Sequence, residues 1–395
     1  MLQLTSFSPL LVGEVMAVSN LSASYSSLPR CKSTPFDPSW PSEAQWFSLN
    51  ASIGDTLIAT KPVASLCYTS NPFNSTLSCS EVAENWGFST FHAELPESVD
   101  YPVWANNSCL PPNATGYDES LGCHIGGYPQ YIANVTSAEQ IATALKWASE
   151  QNIRVVVKGT GHDLDGGSTG AYSLSIWTHN LKQLRINDSW KIPGQNERVP
   201  VLIAGSGNNW GEALDFALKN GWAVVSGTDK TVGLGGHDAL SSTYGLAADQ
   251  ILQATVVTTT GEVLMANSQS NEDLFWAIRG GGAGQYGVVT EYVMLTYPQP
   301  VDIVSTNIYL AAANLSDYHD STINTTWDAF ACLLSSFPDL LDRGIAGNGT
   351  TDWSKSRGSM IRLIRFMSSM VSIESFGRMI WMPDICVKPR VDISK

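Results

Sequence analysis

The chain has few charged residues and, among them, few bases. Only 15% of its 395 residues are charged, and 22 lysines and arginines stand against 36 aspartates and glutamates, a formal net charge of −14. Such a surface repels polyanions, and no basic stretch interleaved with aromatic side chains is present, so nucleic acid is not an expected partner. Aromatic residues make up 10% of the chain, with 13 tryptophans, which is typical of a globular protein and not of a disordered one.

The chain also lacks a long apolar run. No uninterrupted stretch approaches the roughly 18 residues of a membrane span, so no span is expected. The apolar patch at residues 7–18 is interrupted by Pro9 and Glu14 and follows no basic residue, which makes it an atypical signal peptide. Ten glycosylation sequons nevertheless favour secretion or the secretory pathway; they begin at Asn20, Asn50, Asn74, Asn106, Asn113, Asn134, Asn187, Asn314, Asn324 and Asn348.

The sequence contains no C-x-x-C motif, which argues against a structural zinc site. Five of the seven cysteines precede residue 125, and the pairs Cys67/Cys79 and Cys109/Cys123 are spaced like short disulfide loops. Their position in a segment rich in proline, serine and asparagine favours an oxidising compartment. Unpaired buried thiols are the alternative, because sequence does not settle connectivity.

Composition divides the chain into three parts. Residues 1–124 are rich in turns and prolines, and we expect a disulfide-rich N-terminal arm with short helices at 42–49 and 80–86 and no catalytic signal. Residues 125–300 alternate helical and strand patterns, which indicates an α+β or α/β domain. Residues 301–395 are interpreted as a partial substrate domain with an atypical tail.

Local patterns in residues 125–311 predict individual elements. The predicted helices are one capped by Thr136 or Ser137 that runs to about Glu150, then 210–219 and 271–279, the last with Gly280 just past its end. The predicted strands are 153–158, 174–177, 199–204, 223–225, 251–258, 262–266, 287–296 and 302–311, of which 251–258 and 262–266 form a hairpin. A helix is also expected near 325–337.

The tail differs in charge from the rest of the chain. From Lys355 onward, eight lysines and arginines stand against three acidic residues, and five of the nine methionines lie between Met360 and Met382. Two interpretations stay open: a basic amphipathic helix, or a segment foreign to the ancestral domain that arose by truncation or altered splicing.

A glycine-rich loop follows the predicted strand 153–158. It reads Lys-Gly-Thr-Gly-His-Asp from Lys158 to Asp163, and Gly166, Gly167 and Ser168 come shortly after. Glycines permit positive φ and allow several backbone N–H groups to converge, which suits the oxygens of a phosphate or pyrophosphate. The alternative is a tight connection that carries a surface histidine.

A second glycine-rich loop, residues 227–237, ends in Gly-His and is followed by Asp238, which completes a second Gly-His-Asp sequence, and together the two loops could converge on one extended ligand. The G-x-G-x-x-G match at residues 282–287 follows a helix and precedes a strand, the reverse of a Rossmann fingerprint. Residues 205–207 follow a strand, but their spacing to the next glycine is wrong. A nicotinamide-binding Rossmann domain is therefore disfavoured.

Six motifs follow one another in unbroken order between residues 128 and 290. They are YPQYIANVTS at 128–137, VKGTGHD at 157–163, LSIWTHN at 174–180, TVGLGGH at 231–237, DLFWAIRGGG at 273–282 and GVVT at 287–290. This series resembles the FAD-linked oxidases with a PCMH-type flavin domain, and within them the fungal berberine-bridge-enzyme-like proteins. The resemblance implies an α+β fold in which two α/β subdomains bind FAD.

The resemblance also implies roles for particular residues. His162 corresponds to the histidine that is covalently joined to the 8α-methyl carbon of FAD in the family, and the amides of Gly159 to Asp163 would hold the pyrophosphate. Asp229 stands where doubly linked members carry cysteine, so a single histidyl link is expected. The positions that the resemblance assigns to the cofactor are Lys158, Gly159, Thr160, Gly161, His162, Asp163, Gly167, Ser168, Thr228, Val232, Gly233, Gly235, Gly236, His237, Ser241, Val288 and Val289.

Three of these assignments have alternatives. Val232 resembles the family's oxygen gate, where a small side chain leaves dioxygen access to the flavin, but it is equally an ordinary core residue. Lys158 is either a solvated or a phosphate-facing charge. His237, like His179, is expected to be structural.

The implied activity is transfer of a substrate hydride to FAD and then to dioxygen, which yields hydrogen peroxide. The expected substrate is an alcohol, a carbohydrate or a secondary-metabolite intermediate. Relatives continue into a long substrate domain that this chain does not match, so no catalytic base is assigned. The alternatives are a catalytically impaired, secreted flavin-binding glycoprotein and a zinc hydrolase that uses His162, His179 and His237, for which the ligand spacing is missing.

Overall fold

Two β-sheets, each with its own hydrophobic core, organise the chain. The computed structural model describes residues 31–69, 71–227, 229–234, 240–281 and 284–299, together with shorter segments at 304–311, 331, 334–335, 338–339, 345–349, 360–368 and 390–392. Within these residues, no helix is long and apolar enough to cross a membrane.

The first sheet has the strand order β1-β2-β4-β3. Its strands are β1 (Leu57–Ala59), β2 (Tyr131–Asn134), β3 (Arg154–Lys158) and β4 (Ser173–Trp177). β2 and β3 both pair in parallel with β4, and a parallel arrangement requires a crossover, which α4 (Ala138–Glu150) provides. The helix begins where the Ser137 side chain accepts a hydrogen bond from the Gln140 amide, and its apolar face, with Ile141 and Leu145, is buried in the core of this sheet.

The second sheet is antiparallel, with the order β5-β6-β10-β8-β9. Its strands are β5 (Leu184–Lys191), β6 (Arg198–Gly205), β8 (Ile251–Val257), β9 (Val263–Asn267) and β10 (Val288–Leu295). β10 lies at the centre of the sheet between β6 and β8, although the strand that precedes it in the chain is β9 at the edge. The hairpin predicted from the sequence is confirmed, because β8 and β9 pair around a turn at residues 258–262.

Helices α5 (Trp210–Lys219) and α8 (Glu272–Gly281) pack on the second sheet. α5 begins with a reciprocal capping box, in which the side chain of Asn209 and that of Glu212 each accept a hydrogen bond from the other's backbone amide. The remaining elements here are short: α6 (Ser241–Tyr244), α7 (Ala247–Gln250) and the strand pair β7 (Trp222–Ala223) and β11 (Tyr297–Pro298).

Three details correct the sequence predictions for this region. β5 was not predicted, because its residues are mostly polar and exposed and give only a weak alternating signal. α8 runs through Gly281 instead of ending before Gly280, since glycine disfavours a helix without forbidding it. The strand expected at 223–225 pairs only at Trp222 and Ala223.

The described part of the arm, residues 31–69 and 71–124, contains three α-helices: α1 (Glu43–Ser52), α2 (Cys79–Asn85) and α3 (Ser89–Glu94). Both expected disulfides are present, Cys67–Cys79 and Cys109–Cys123, while Cys31 is a free, exposed thiol. The arm also contributes β1 to the edge of the first sheet. The arm therefore adds a strand to the first sheet, and the first glycine loop leaves the end of β3 in that same sheet.

The described segments after residue 303 form a third sheet of order β13-β14-β12-β15. Its strands are β12 (Val304–Ala311), β13 (Ile345–Gly349), β14 (Met360–Ser368) and β15 (Arg390–Asp392). The expected strand at 302–311 corresponds to β12, whereas most of the helix expected near 325–337 lies outside the described residues. The expected basic helix is wrong at 360–368, because β14 pairs there on both sides, with β12 and β13.

Candidate functional site

The first glycine loop leaves the end of β3 in a conformation that only glycine tolerates well. Gly161 has φ +88°, and a Cβ on it would lie 2.9 Å from Cε of Lys158. Gly166 has φ +80° and lies against the indole of Trp104, with which a Cβ would collide. The sharp turn predicted from the sequence is thus imposed by close contacts on both sides of the loop.

His162 lies where the two glycine loops meet. Its Nε2 atom is 3.1 Å from the carbonyl oxygen of Thr231, and a carbonyl oxygen only accepts, so Nε2 carries the proton. Its Nδ1 atom is buried and has no hydrogen-bond partner among the described residues. When the ring is neutral, Nδ1 therefore keeps a lone pair that no donor in the described part of the chain uses.

The second loop is described at residues 229–234 and is tied to the start of α5. The amides of Trp210 and Gly211 donate to the carbonyl oxygens of Val232 and Lys230 at 2.9 and 2.8 Å. A Cβ on Gly233 would lie 3.8 Å from the Thr160 side chain. The structure thus brings the two glycine loops together, as the sequence led us to expect.

Two side chains of the second loop differ in exposure and bonding. The Val232 side chain is 37% exposed, which corrects the alternative that it is an ordinary core residue. The Asp229 carboxylate accepts hydrogen bonds from the amide and hydroxyl of Thr231 at 2.7 and 2.8 Å. These hydrogen bonds lower the pKa of Asp229, so the carboxylate is ionised at neutral pH.

Lys158 does not have either role that the sequence suggested for its side chain. It is 1% exposed, and its ammonium group donates to the carbonyl oxygens of His92, at 3.0 Å, and of Leu95 in the arm. Burial lowers the pKa of Lys158 to about 7, while the charge of Glu97 opposes the shift. The charge is neither solvated nor directed at a phosphate, because the arm covers it.

Asp100 is a site residue that sequence reasoning missed. Its carboxylate Oδ2 lies 3.5 Å from Nδ1 of His162. Nearby, the imidazole of His92 accepts from the Ser98 hydroxyl and donates to the Trp86 carbonyl, and burial lowers the pKa of His92. No local motif marks Asp100, because its role depends on a contact between the arm and a loop distant in sequence.

The remaining predicted positions fall into three groups. Gly159, Thr160, Asp163, Gly167 and Ser168 lie with His162 in the first loop, where Asp163 caps the turn by accepting from the Asp165 amide at 2.7 Å. Val288 and Val289 open β10 and are buried, one in each core, and Ser241 begins α6. Thr228, Gly235, Gly236 and His237 lie outside the described residues.

His179 lies beside the first loop without entering it. Its ring stacks on that of Trp177 with the centroids 4.9 Å apart, and burial lowers its pKa. Among the residues that the structure describes, no three His, Cys, Asp or Glu side chains are grouped as metal ligands. The described geometry offers no support for a zinc centre.

Residues 129–267 match the FAD binding domain family FAD_binding_4. The chain is 35% identical to the VAO-type flavoprotein oxidase VAO615 of Thermothelomyces thermophilus, over 89% of this chain and 62% of that protein. It is 36% identical to the FAD-linked oxidoreductase apf9 of Gibberella fujikuroi, over 81% of this chain and 54% of that protein. It thus spans less than two thirds of the length of these relatives.

The fold agrees with these sequence matches. The crystal structure of the VAO-type flavoprotein MtVAO615 from Myceliophthora thermophila superposes with a TM-score of 0.78 at 33% identity, over 92% of this chain and 66% of that one. The resemblance and the α+β, PCMH-type fold expected from the motifs are confirmed. The chain therefore contains an FAD-binding domain whose cofactor is FAD, and over most of its own length it is similar to FAD-linked oxidoreductases and VAO-type flavoproteins.

Proposed function

We propose that this protein is an oxidase that carries FAD on His162 and oxidises an alcohol, a carbohydrate or a secondary-metabolite intermediate. When bound, FAD supplies a hydride acceptor for the substrate and passes the two electrons to dioxygen, which leaves as hydrogen peroxide. The observation that carries the proposal is the position of His162 at the junction of two glycine loops, with its Nδ1 atom buried and without a hydrogen-bond partner among the residues that the structure describes.

The residues present fit this cofactor. The hydrogen bond from Nε2 to Thr231 fixes the tautomer, so Nδ1 is the ring nitrogen able to act as a nucleophile toward the 8α carbon. The glycines of the first loop leave the backbone free of Cβ atoms, as close approach to a pyrophosphate requires. Apart from Lys158, whose side chain the arm covers, the other predicted positions, including Thr228, Gly235, Gly236 and His237, are proposed contacts.

Asp229 supports a single covalent link. It stands where doubly linked relatives carry cysteine, and its carboxylate is already engaged by the amide and hydroxyl of Thr231. A carboxylate held in this way does not replace a thiolate as a nucleophile. The chain should therefore attach FAD through His162 alone.

Val232 supports the use of dioxygen as the final acceptor. Its small side chain is partly exposed beside the His162 loop, so dioxygen meets no bulky group at this position. The same exposure removes the competing explanation that the residue only fills a core.

Passage through the secretory pathway is part of the proposal. The two disulfides join segments of the arm, and such bonds persist in oxidising compartments. The exposed sequons are consistent with this route, and their occupancy is a separate test.

The decisive experiment compares the wild-type chain with His162→Ala and His124→Ala. After acid precipitation, the wild type and His124→Ala should retain flavin fluorescence in the pellet, whereas His162→Ala should release its flavin to the supernatant. His124 is a suitable control because it is exposed in the arm, where Nε2 donates to the Leu121 carbonyl at 2.9 Å.

The oxidase activity is tested by adding a panel of alcohols and carbohydrates without oxygen and recording the loss of flavin absorbance. Readmission of air should restore the absorbance and produce one hydrogen peroxide per oxidised substrate. Flavin that remains on the His162→Ala chain would contradict the attachment. Attached flavin that no substrate reduces would instead favour the catalytically impaired glycoprotein.

A further inference from the structure

The N-terminal arm places a carboxylate beside the proposed attachment residue. Oδ2 of Asp100 lies 3.5 Å from Nδ1 of His162, and the two side chains are only 17% and 10% exposed. The other ring nitrogen is bonded to the Thr231 carbonyl. The imidazole therefore lies between a backbone carbonyl from the second loop and an acidic side chain from the arm.

Asp100 is fixed by contacts on both its backbone and its side chain. Its amide donates to the carbonyl oxygen of Gly161 at 3.2 Å, and its Oδ2 atom accepts from the Ser89 hydroxyl at 2.9 Å. Position 161 favours glycine, because its φ is +88° and a Cβ there would lie 2.9 Å from Cε of Lys158. The arm is thus pressed directly onto the first glycine loop.

Lys158, at the start of the first glycine loop, also binds this part of the arm. Its ammonium group donates to the carbonyl oxygens of His92 and Leu95, just before the turn that leads to Asp100. The buried His92 ring, bonded to Ser98, stiffens this turn further. Asp100 therefore does not have to be ordered when a ligand arrives.

The carboxylate of the second loop is differently arranged. Asp229 accepts two hydrogen bonds from Thr231, which are the main cause of its lowered pKa. Among the described residues, Asp100 is the carboxylate within ion-pair distance of the imidazole.

We infer that Asp100 is a positioning residue that stabilises the positive charge formed on His162 when the bond to FAD is made. This inference rests on the proposed attachment. In that step Nδ1 supplies the electron pair for a bond to the 8α carbon, and the 8α-methyl group loses one proton. The two electrons left on the cofactor pass to dioxygen, which takes that proton and one from solvent to form hydrogen peroxide.

The charge change explains the need for a carboxylate. The imidazole keeps its proton on Nε2, because that nitrogen is bonded to Thr231, so the alkylated ring is a cation. A neighbouring carboxylate stabilises the cation, and more strongly where little water is present to screen the charges. The arm, in which the sequence shows no catalytic signal, thus completes the site.

The test measures the rate at which full-length apoprotein, mixed with FAD in air, acquires acid-stable flavin. Asp100→Asn removes the charge and keeps the shape, and Asp100→Glu keeps the charge. Asp165→Asn removes an exposed charge from the first glycine loop, which carries His162. An opposite charge at this distance typically shifts the equilibrium between the neutral and the charged form of a group by about tenfold or more, and we expect a similar effect on the formation of the cationic imidazole. Asp100→Asn should therefore acquire covalent flavin about tenfold more slowly or worse, while Asp100→Glu and Asp165→Asn stay near the wild-type rate.

Non-covalent FAD affinity and the Tm of the apoprotein are measured beside the rate, and both should stay close to wild type in Asp100→Asn. An unchanged rate in Asp100→Asn would overturn the inference and leave the role of His162 intact. A rate loss matched by equal losses of FAD affinity and Tm would show a merely structural role and also overturn it. Wild-type protein that never acquires acid-stable flavin would overturn both the inference and the proposed attachment.

Discussion

Lys158 holds an ammonium group in the interior, next to the turn that carries His162. Its folded-state pKa of about 7 lies well below the ordinary lysine value of 10.5, because burial disfavours the charged form. In the unfolded chain the same group stays protonated up to its ordinary pKa. Between these two values the unfolded state binds more protons, so stability should rise with pH in this window.

Lys158→Met should remove this pH dependence. The free energy of unfolding of the wild type, relative to the variant, should increase between pH 7 and pH 9 by up to about 1.4 kcal/mol per pH unit. Urea unfolding at three pH values in this range measures the difference. Below about pH 7 the difference should level off, because both states are then protonated.

Lys182→Met is the matched control for the change in net charge. Lys182 pairs with Glu212 at 2.7 Å at the surface, where such a pair contributes little to stability. A difference in unfolding free energy between the wild type and Lys158→Met that does not change from pH 7 to pH 9 would show that the buried amine does not titrate there.

Single residues were predictable from the sequence where the chemistry was local. The loop around His162 was found because glycines and a histidine in one short run point to a backbone turn that carries a functional side chain. Asp100 and the burial of Lys158 could not be found in this way. Both depend on the packing of the arm against a loop far along the chain, and a single sequence carries no signal for that contact.

At the scale of elements, the arm is a small unit stabilised by its disulfides. Cys109 and Cys123 are buried with Val63, Tyr68 and Val82 in a cluster separate from the two sheet cores. Their sequence separation of 14 residues defines the loop that the bond closes. A loop of this size is expected to restrict the unfolded chain by about 3 kcal/mol.

Replacing both Cys109 and Cys123 by alanine should therefore lower the free energy of unfolding by about 2 to 4 kcal/mol. Urea unfolding of the full chain measures the loss. Cys31→Ala, at an exposed free thiol, should change stability by less than about 0.5 kcal/mol. Equal losses of unfolding free energy in the double variant and in Cys31→Ala would mean that the disulfide itself does not stabilise the protein.

Elements with a strong local pattern were predicted well, and the others were not. α4, α5 and the β8–β9 hairpin carry caps, apolar stripes or turn residues within their own sequence. β5 is largely polar and exists because β6 pairs with it. β14 likewise forms a strand because two neighbours pair with it, which overrides the helical interpretation of its basic residues.

At the scale of the whole molecule, the acidic composition, the disulfides and the glycosylation sequons all bear on which cellular compartment the chain folds in. The sequons differ in their surroundings. Asn74 and Asn106 are exposed, have φ of 51° and 61°, and their side chains have no hydrogen-bond partner among the described residues. Asn50 instead donates to Asp55 and accepts from the Leu57 amide, both at 2.9 Å, so its side chain stabilises the end of α1.

Secretion from a eukaryotic host should therefore produce glycans at Asn74 and Asn106, with Asn50 largely unmodified, because a folded chain accommodates a glycan only where the amide is free to face solvent. Enzymatic deglycosylation in heavy-oxygen water, followed by peptide mass mapping, reports each site through the mass of the converted residue. Asn74→Gln and Asn106→Gln should each remove one glycan without lowering the Tm of the deglycosylated protein. Asn50→Gln should lower that Tm, because it removes two hydrogen bonds. High occupancy at Asn50, or none at Asn74 and Asn106 in secreted material, would contradict this order of sites.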